Sequence, residues 1–238
     1  TVVDGNIYYY RIGVIRNGEE LISEEHVAVV ISIPDSIGTD VFIGGDIREG
    51  YFGEVASSDF ITGDALASEI GLTAGTPQIS DVPWWKFASN GEVFYVPTKS
   101  FRYSLTWNSI SNVNAVYNDV NAPIVTISGY DFRVTLMTGA EADPSVDSNG
   151  VGSEWNRLIY RIHSTVPSDQ VGDNWANYDT NNTNITAGNG RYTWCQEKIK
   201  DQNRQVVRGN SSLSTFGILD PGGGFSSTGW RPALRLIQ

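Results

Sequence analysis

The chain has 238 residues, 40% of them hydrophobic and 18% charged, with a formal net charge of −11 and a pI near 4.5. Apolar material on this scale can fill a sizeable core. The acidic balance and the lack of any Lys/Arg cluster argue against nucleic acid and anionic membranes as partners, and no run has the length of a membrane span. The single cysteine, Cys195, forms no internal disulfide, so the chain is not a disulfide-stapled domain. Gly, Asn, Ser, Thr and aromatic residues are abundant, which predicts a β-rich α+β chain with many turns. The sequence starts on Thr1 and its only Met is Met137, which predicts a processed or excised chain.

Residues 1–32 contain an alternating run around Ile7–Ile15, an Asn17-Gly18 turn signal and the strand-like "HVAVVI". This predicts a hairpin. It resembles the last two strands of an immunoglobulin or fibronectin type III sandwich, a fold that needs about seven strands. Strands from elsewhere in that sandwich, or a partner chain, would cover such a hairpin. Residues 33–60, rich in Gly, read as a linker, and residues 61–238 as the main domain.

Within the main domain, "TGDALASEIGL" predicts a short helix capped by Thr62 or Asp64 and ended by Gly71. "WWKFASNGEVFYVP" predicts a hairpin turning at Asn90-Gly91, and a short helix or turn follows near Thr106. "APIVTISGYDFRVTLMTG" predicts a second strand pair, turning at Ser128-Gly129. In "GSEWNRLIYRIHS", Ser153 is the expected N-cap and Glu154 suits the positive helix end. Trp155, Leu158, Ile159 and Ile162 fall on one helical face. Residues 164–215 read as a long polar loop, a feature often tied to function. "GWRPALRLI" predicts a buried strand, with Trp230, Pro232, Leu234 and Leu236 on one face and Arg231, Ala233 and Arg235 on the other.

"WWKFASNGEVFYVP", "GSEWNRLIYRIHS" and "GWRPALRLI", in that order, resemble a domain of tailed-bacteriophage virion proteins. That domain carries a W-x-K-F…G-x-x-x-Y-V-P hairpin, a G-S-E-W helix and a G-W-R-P strand. The resemblance covers about residues 50–238. The layout is also similar to the C-type-lectin-like fold, in the variant shared with formylglycine-generating enzymes. In that fold the last strand runs beside the first. The resemblance therefore implies that "WRPALRLI" is a central or near-central strand, paired around Phe87 or Val93–Val96. Formylglycine-generating enzymes use cysteines in their active site, and a single Cys departs from that pattern, so the activity is not carried over. What the resemblance implies instead is a non-enzymatic virion component: fibre, decoration or tail-associated protein. Its partners would be other virion proteins, sister copies in a homo-oligomer, and a host surface glycan or protein.

Candidate sites are few. Trp175, Tyr178, Tyr192 and Trp194 combine aromatic faces with neighbouring amide side chains, a pattern suited to sugar rings; the same aromatics could instead anchor a loop to the sheet. Glu141, Asp143, Asp147 and Asn149 offer oxygen ligands for a hard cation such as calcium, although their spacing is not that of a helix-loop-helix site. Polar turn residues before a capped helix account for them equally well. The two histidines, His26 and His163, lie far apart in sequence, which disfavours a His-based zinc site. A buried thiol is the plain reading of Cys195. Glu154 beside Trp155 could be a glycosidase acid, but no second carboxylate is assigned to it and helix capping explains it. A glycan hydrolase is the enzymatic alternative.

Overall fold

The computed structural model describes residues 7–29, 33–45, 48–140, 152–162, 189–199, 202–210, 213 and 215–238. The chain is β-rich with few helices. Strands β1 (Ile7–Tyr10) and β2 (Gly13–Arg16) return through β3 (Glu19–Ile22) and β4 (His26–Val29) as one antiparallel ribbon. Asn17 and Gly18 take φ of 55° and 82°, the mirror-image turn that matches strand twist. Between the two ladders, Ile12 and Ser23 keep the strands joined: the Ser23 amide donates to the Ile12 carbonyl at 2.8 Å, and the Ile12 amide to Ser23 Oγ at 2.9 Å.

The region read as a linker carries two strands, β5 (Gly44–Gly45) and β6 (Glu49–Val55). Sequence alternation misses β6 because its register on the next strand shifts between Tyr51 and Glu54, at Gly53. Such a bulge turns successive side chains out of the two-residue period. Helix α1 (Gly63–Glu69) starts on Thr62, whose hydroxyl accepts from the Ala65 amide at 3.3 Å, and Gly71 follows it with φ of 72°. Then come β7 (Thr76–Pro77), β8 (Trp84–Ser89), β9 (Glu92–Pro97) and β10 (Arg102–Tyr103). Thr106 caps α2 (Trp107–Ser111). Strands β11 (Ile124–Ile127) and β12 (Tyr130–Thr135) turn at Ser128-Gly129 as expected.

The helix Trp155–Ile162 forms where the sequence places it, but with the wider π winding. Trp155, Leu158 and Ile159 are buried on its inner face, a grouping that either winding allows. Strands β13 (Tyr192–Lys198) and β14 (Gln205–Gly209) then occupy part of the segment read as one long loop. They carry Thr193, Gln205 and Arg208 at buried positions, so their burial leaves no clean apolar pattern. Strands β15 (Phe216–Leu219), β16 (Thr228–Trp230) and β17 (Ala233–Leu236) complete the chain.

The strands beyond the ribbon build two sheets. One has the order β11-β12-β17-β9-β8-β6-β5 and the other β15-β14-β13-β16-β10-β7. The segment "GWRPALRLI" serves both: β16 lies inside the six-stranded sheet and β17 inside the seven-stranded one. Between them stand Arg231 and Pro232, where a missing proline N–H interrupts no ladder. Leu234 faces Tyr95 and Arg235 faces Phe94, so β17 pairs with the Val93–Val96 strand. The last strand does not run beside the first: β9 and β8 separate β17 from β6. The tight β8–β9 hairpin leaves one open edge to each neighbour, and β6 and β17 take opposite edges.

Both faces of the larger sheet are buried. Trp84, Val93, Tyr95, Phe132, Leu234 and Leu236 pack with α1, α2 and the Trp194, Val207 and Trp230 side chains of the second sheet. Trp85, Phe87, Phe94, Val96 and Ala233 pack on the opposite face against Trp155, Leu158 and Ile159. Burying large aromatics on both faces contributes about 1.5–3 kcal/mol per side chain. Lys86, fully buried in β8, donates to Asp40 at 2.7 Å.

Candidate functional site

A network of polar side chains surrounds residues 138–140, which follow β12. The Thr138 amide donates to Glu154 Oε2 at 2.8 Å, and the Glu154 amide donates to Thr138 Oγ1 at 2.8 Å. This reciprocal pair fixes the start of the 155–162 helix, where Ser153 Oγ also accepts from the Asn156 amide at 3.2 Å. Both oxygens of Glu154 accept from Arg235 Nη2, at 2.6 and 2.7 Å. Arg235 reaches further: Nη1 donates to Glu92 at 2.8 Å and Nε to Thr135 Oγ1 at 3.0 Å. Its guanidinium lies over the Phe94 ring, 5.1 Å from the centroid. Burial works against its charge, but Glu154 and Glu92 outweigh that and hold its pKa above the usual arginine value.

Glu197, on β13, meets the same turn from the other side. Its Oε2 accepts from the Gly139 amide at 2.9 Å. Burial pushes its carboxyl up to about 7, against the lowering effect of backbone hydrogen bonds from Gly139, its own amide and Ala140; the charge of Glu154 adds to the rise. The two carboxylates thus differ in role. Glu154 is held in place by a guanidinium and a backbone amide. Glu197 has no such cation among the described residues, and burial raises its proton affinity.

Of the aromatic residues expected to bind sugar, Trp175 and Tyr178 lie outside the described residues. Trp194 is a core residue rather than a loop residue: it is fully buried, and its indole N–H donates to the Leu105 carbonyl at 3.0 Å. No face of that ring is open to a ligand. Tyr192 starts the same strand and is half-buried; its hydroxyl accepts from Asn210 Nδ2 at 3.0 Å. The proposed calcium ligands Glu141, Asp143, Asp147 and Asn149 also lie outside the described residues. Among the described residues, no group of three or more His, Cys, Asp or Glu could hold a metal ion. Cys195 is buried, its Sγ 3.6 Å from the Thr193 carbonyl.

Sequence reasoning missed the Arg235–Glu154–Glu92 network and Glu197. The one available signal was Arg235 itself, a charge set between leucines in a strand too apolar to be exposed. No family profile matches this chain, and neither a curated protein nor a solved structure matches it.

Proposed function

We propose that the chain is a non-enzymatic structural and adhesion component of a tailed-phage virion. In this reading, a C-type-lectin-like body displays a host-binding surface, and the N-terminal ribbon is the last hairpin of an immunoglobulin-like domain. The observation that carries it is the convergence of the three motif stretches. The E-W helix packs on the W-x-K-F hairpin, and Glu154 of the first pairs with Arg235 of the terminal strand, which itself lies over Phe94. The three stretches that carry the resemblance therefore pack into one unit, with Trp155 of the helix motif against Phe87 of the hairpin motif. The separation of β17 from β6 departs from the lectin-type layout and leaves that part of the reading on the motifs. The engagement of Glu154 in structural bonds favours display over glycan hydrolysis.

The test is binding of the purified chain to host cells. Binding that is lost in Tyr178→Ala/Tyr192→Ala supports adhesion through the segment before and at β13. Binding that survives both changes moves the ligand surface elsewhere. A chain that neither binds host cells nor occurs in purified virions overturns the reading.

The second reading is architectural: the chain cements virion subunits without touching the host. The exposed apolar side chains of the ribbon favour it.

A further inference from the structure

Three Asn-Gly pairs fall within the described residues: Asn17-Gly18, Asn90-Gly91 and Asn189-Gly190. Such a pair carries its own chemistry. Glycine has no Cβ to shield its backbone nitrogen, and closure of that nitrogen onto the Asn Cγ makes a five-membered imide. The imide does not fit a loop with positive φ at both residues, so such a loop must open locally before the ring can close.

The three pairs are held differently. Arg16 faces Glu19 in the ladder, so Asn17 and Gly18 form a two-residue loop; both are exposed, and a Cβ at Gly18 would meet nothing within 4 Å. The four residues of β2 and the four of β3 are all exposed too, so opening this loop uncovers no buried side chain of its flanking strands. Asn90-Gly91 has the same backbone, with φ of 51° and 85°, but its loop is tied down. The Asn90 amide donates to the Arg48 carbonyl at 2.8 Å, and Gln238 Nε2 donates to the Gly91 carbonyl at 3.0 Å. The flanking strands β8 and β9 are buried members of the seven-stranded sheet, and loosening them would expose core side chains. At Asn189-Gly190 the attacking nitrogen is itself engaged: the Gly190 amide donates to the Ser226 carbonyl at 2.8 Å, and Gly190 is buried.

We propose that Asn17 is a site of spontaneous deamidation in the folded chain, selected over Asn90 and Asn189 by the openness of its loop. The Gly18 backbone nitrogen gives its proton to hydroxide or a buffer base and attacks Asn17 Cγ. The N–Cγ bond forms, the Cγ–Nδ2 bond breaks, and Nδ2 takes up a proton and leaves as ammonia. Water then opens the imide at either carbonyl, giving aspartate or isoaspartate at position 17. Both products place a carboxylate beside Glu19 and Glu20. Isoaspartate also routes the main chain through Cβ, which lengthens a two-residue loop and disturbs the Arg16–Glu19 register. This inference is independent of the host-binding reading.

The test incubates the full chain at mildly alkaline pH, with and without guanidinium chloride, and maps peptic peptides by mass at acidic pH; electron-transfer fragmentation separates aspartate from isoaspartate. In the folded chain Asn17 should convert at least about tenfold faster than Asn90 or Asn189, with isoaspartate in the product. In the unfolded chain the three rates should converge, since each pair is then equally free. Asn17→Gln should abolish the signal at that position and leave the other two rates unchanged. Equal rates in the folded chain, faster conversion at Asn90 or Asn189, a product at position 17 free of isoaspartate, or a ranking that persists on unfolding overturns the proposal.

Discussion

Glu154 and Glu197 accept hydrogen bonds from consecutive backbone amides, those of Thr138 and Gly139. One short turn thus separates a carboxylate clamped by Arg235 from one whose proton affinity is raised. The turn links the larger sheet, the 155–162 helix and the second sheet.

Removing Arg235 tests the clamp. Arg235→Met leaves Glu154 and Glu92 without their shared cation, and a broken buried pair costs about 3–5 kcal/mol. Urea unfolding followed by tryptophan fluorescence should show that loss. Glu154→Gln/Arg235→Met should recover part of it, because the stranded charge is gone. A double variant no more stable than Arg235→Met would show that the lost stability comes from arginine packing instead.

Glu197 gives the stability a pH dependence. Its carboxyl binds a proton more tightly in the folded chain, at about 7, than at its ordinary 4.5. Between those values the folded state carries more protons than the unfolded state, so stability falls as pH rises through the window. Glu54, also raised by burial, acts in the same direction. Urea midpoints measured across that range should decline, and Glu197→Gln should flatten the decline. An unchanged slope in Glu197→Gln would place the titration elsewhere.

Lys86 is buried and its partner Asp40 is largely exposed. Asp40→Ala should therefore destabilise more than a surface ion pair would, by about 1–3 kcal/mol, because Lys86 loses its acceptor. Lys86→Met in the Asp40→Ala background should restore most of that in thermal melts. A double variant as unstable as the single one would show that Asp40 acts through its own loop.

Gly139 has no room for a side chain. A Cβ there would lie 2.4 Å from Cys195 Sγ and 2.6 Å from Cys195 Cβ. Gly139→Ala should cost about 1–3 kcal/mol through overpacking. Cys195→Ala should relieve only part of the cost, since its Cβ remains. Full rescue in calorimetry would mean that the backbone at residue 139 can shift freely.

The fold was legible where chemistry is local. Asn17-Gly18, Asn90-Gly91 and Ser128-Gly129 specify their turns through positive φ, and Thr62 and Thr106 specify helix starts through their hydroxyls. The burial of Leu234 and its pairing with Tyr95 followed from alternation together with the motif resemblance. Strand β6 was hidden by its bulge, and β13 and β14 by buried polar residues such as Thr193 and Arg208. The site was less legible still. Glu154 and Arg235 are 81 residues apart, and no period in the sequence announces such a pair. Trp194 took the alternative that the sequence left open, anchoring rather than ligand binding: β13 is buried on both faces at Thr193, Trp194 and Cys195, so no exposed side remains for the ring.

The crossing at Arg231 and Pro232 has a consequence for biosynthesis. Neither sheet can close until residues 228–236 have left the ribosome, because one sheet needs Thr228–Trp230 and the other Ala233–Leu236 as interior members. A nascent chain halted before Thr228 leaves β9, β10, β12 and β13 each short of one ladder partner and uncovers part of the core around Tyr95 and Phe132. Joining of the two sheets into one body therefore waits on this one segment.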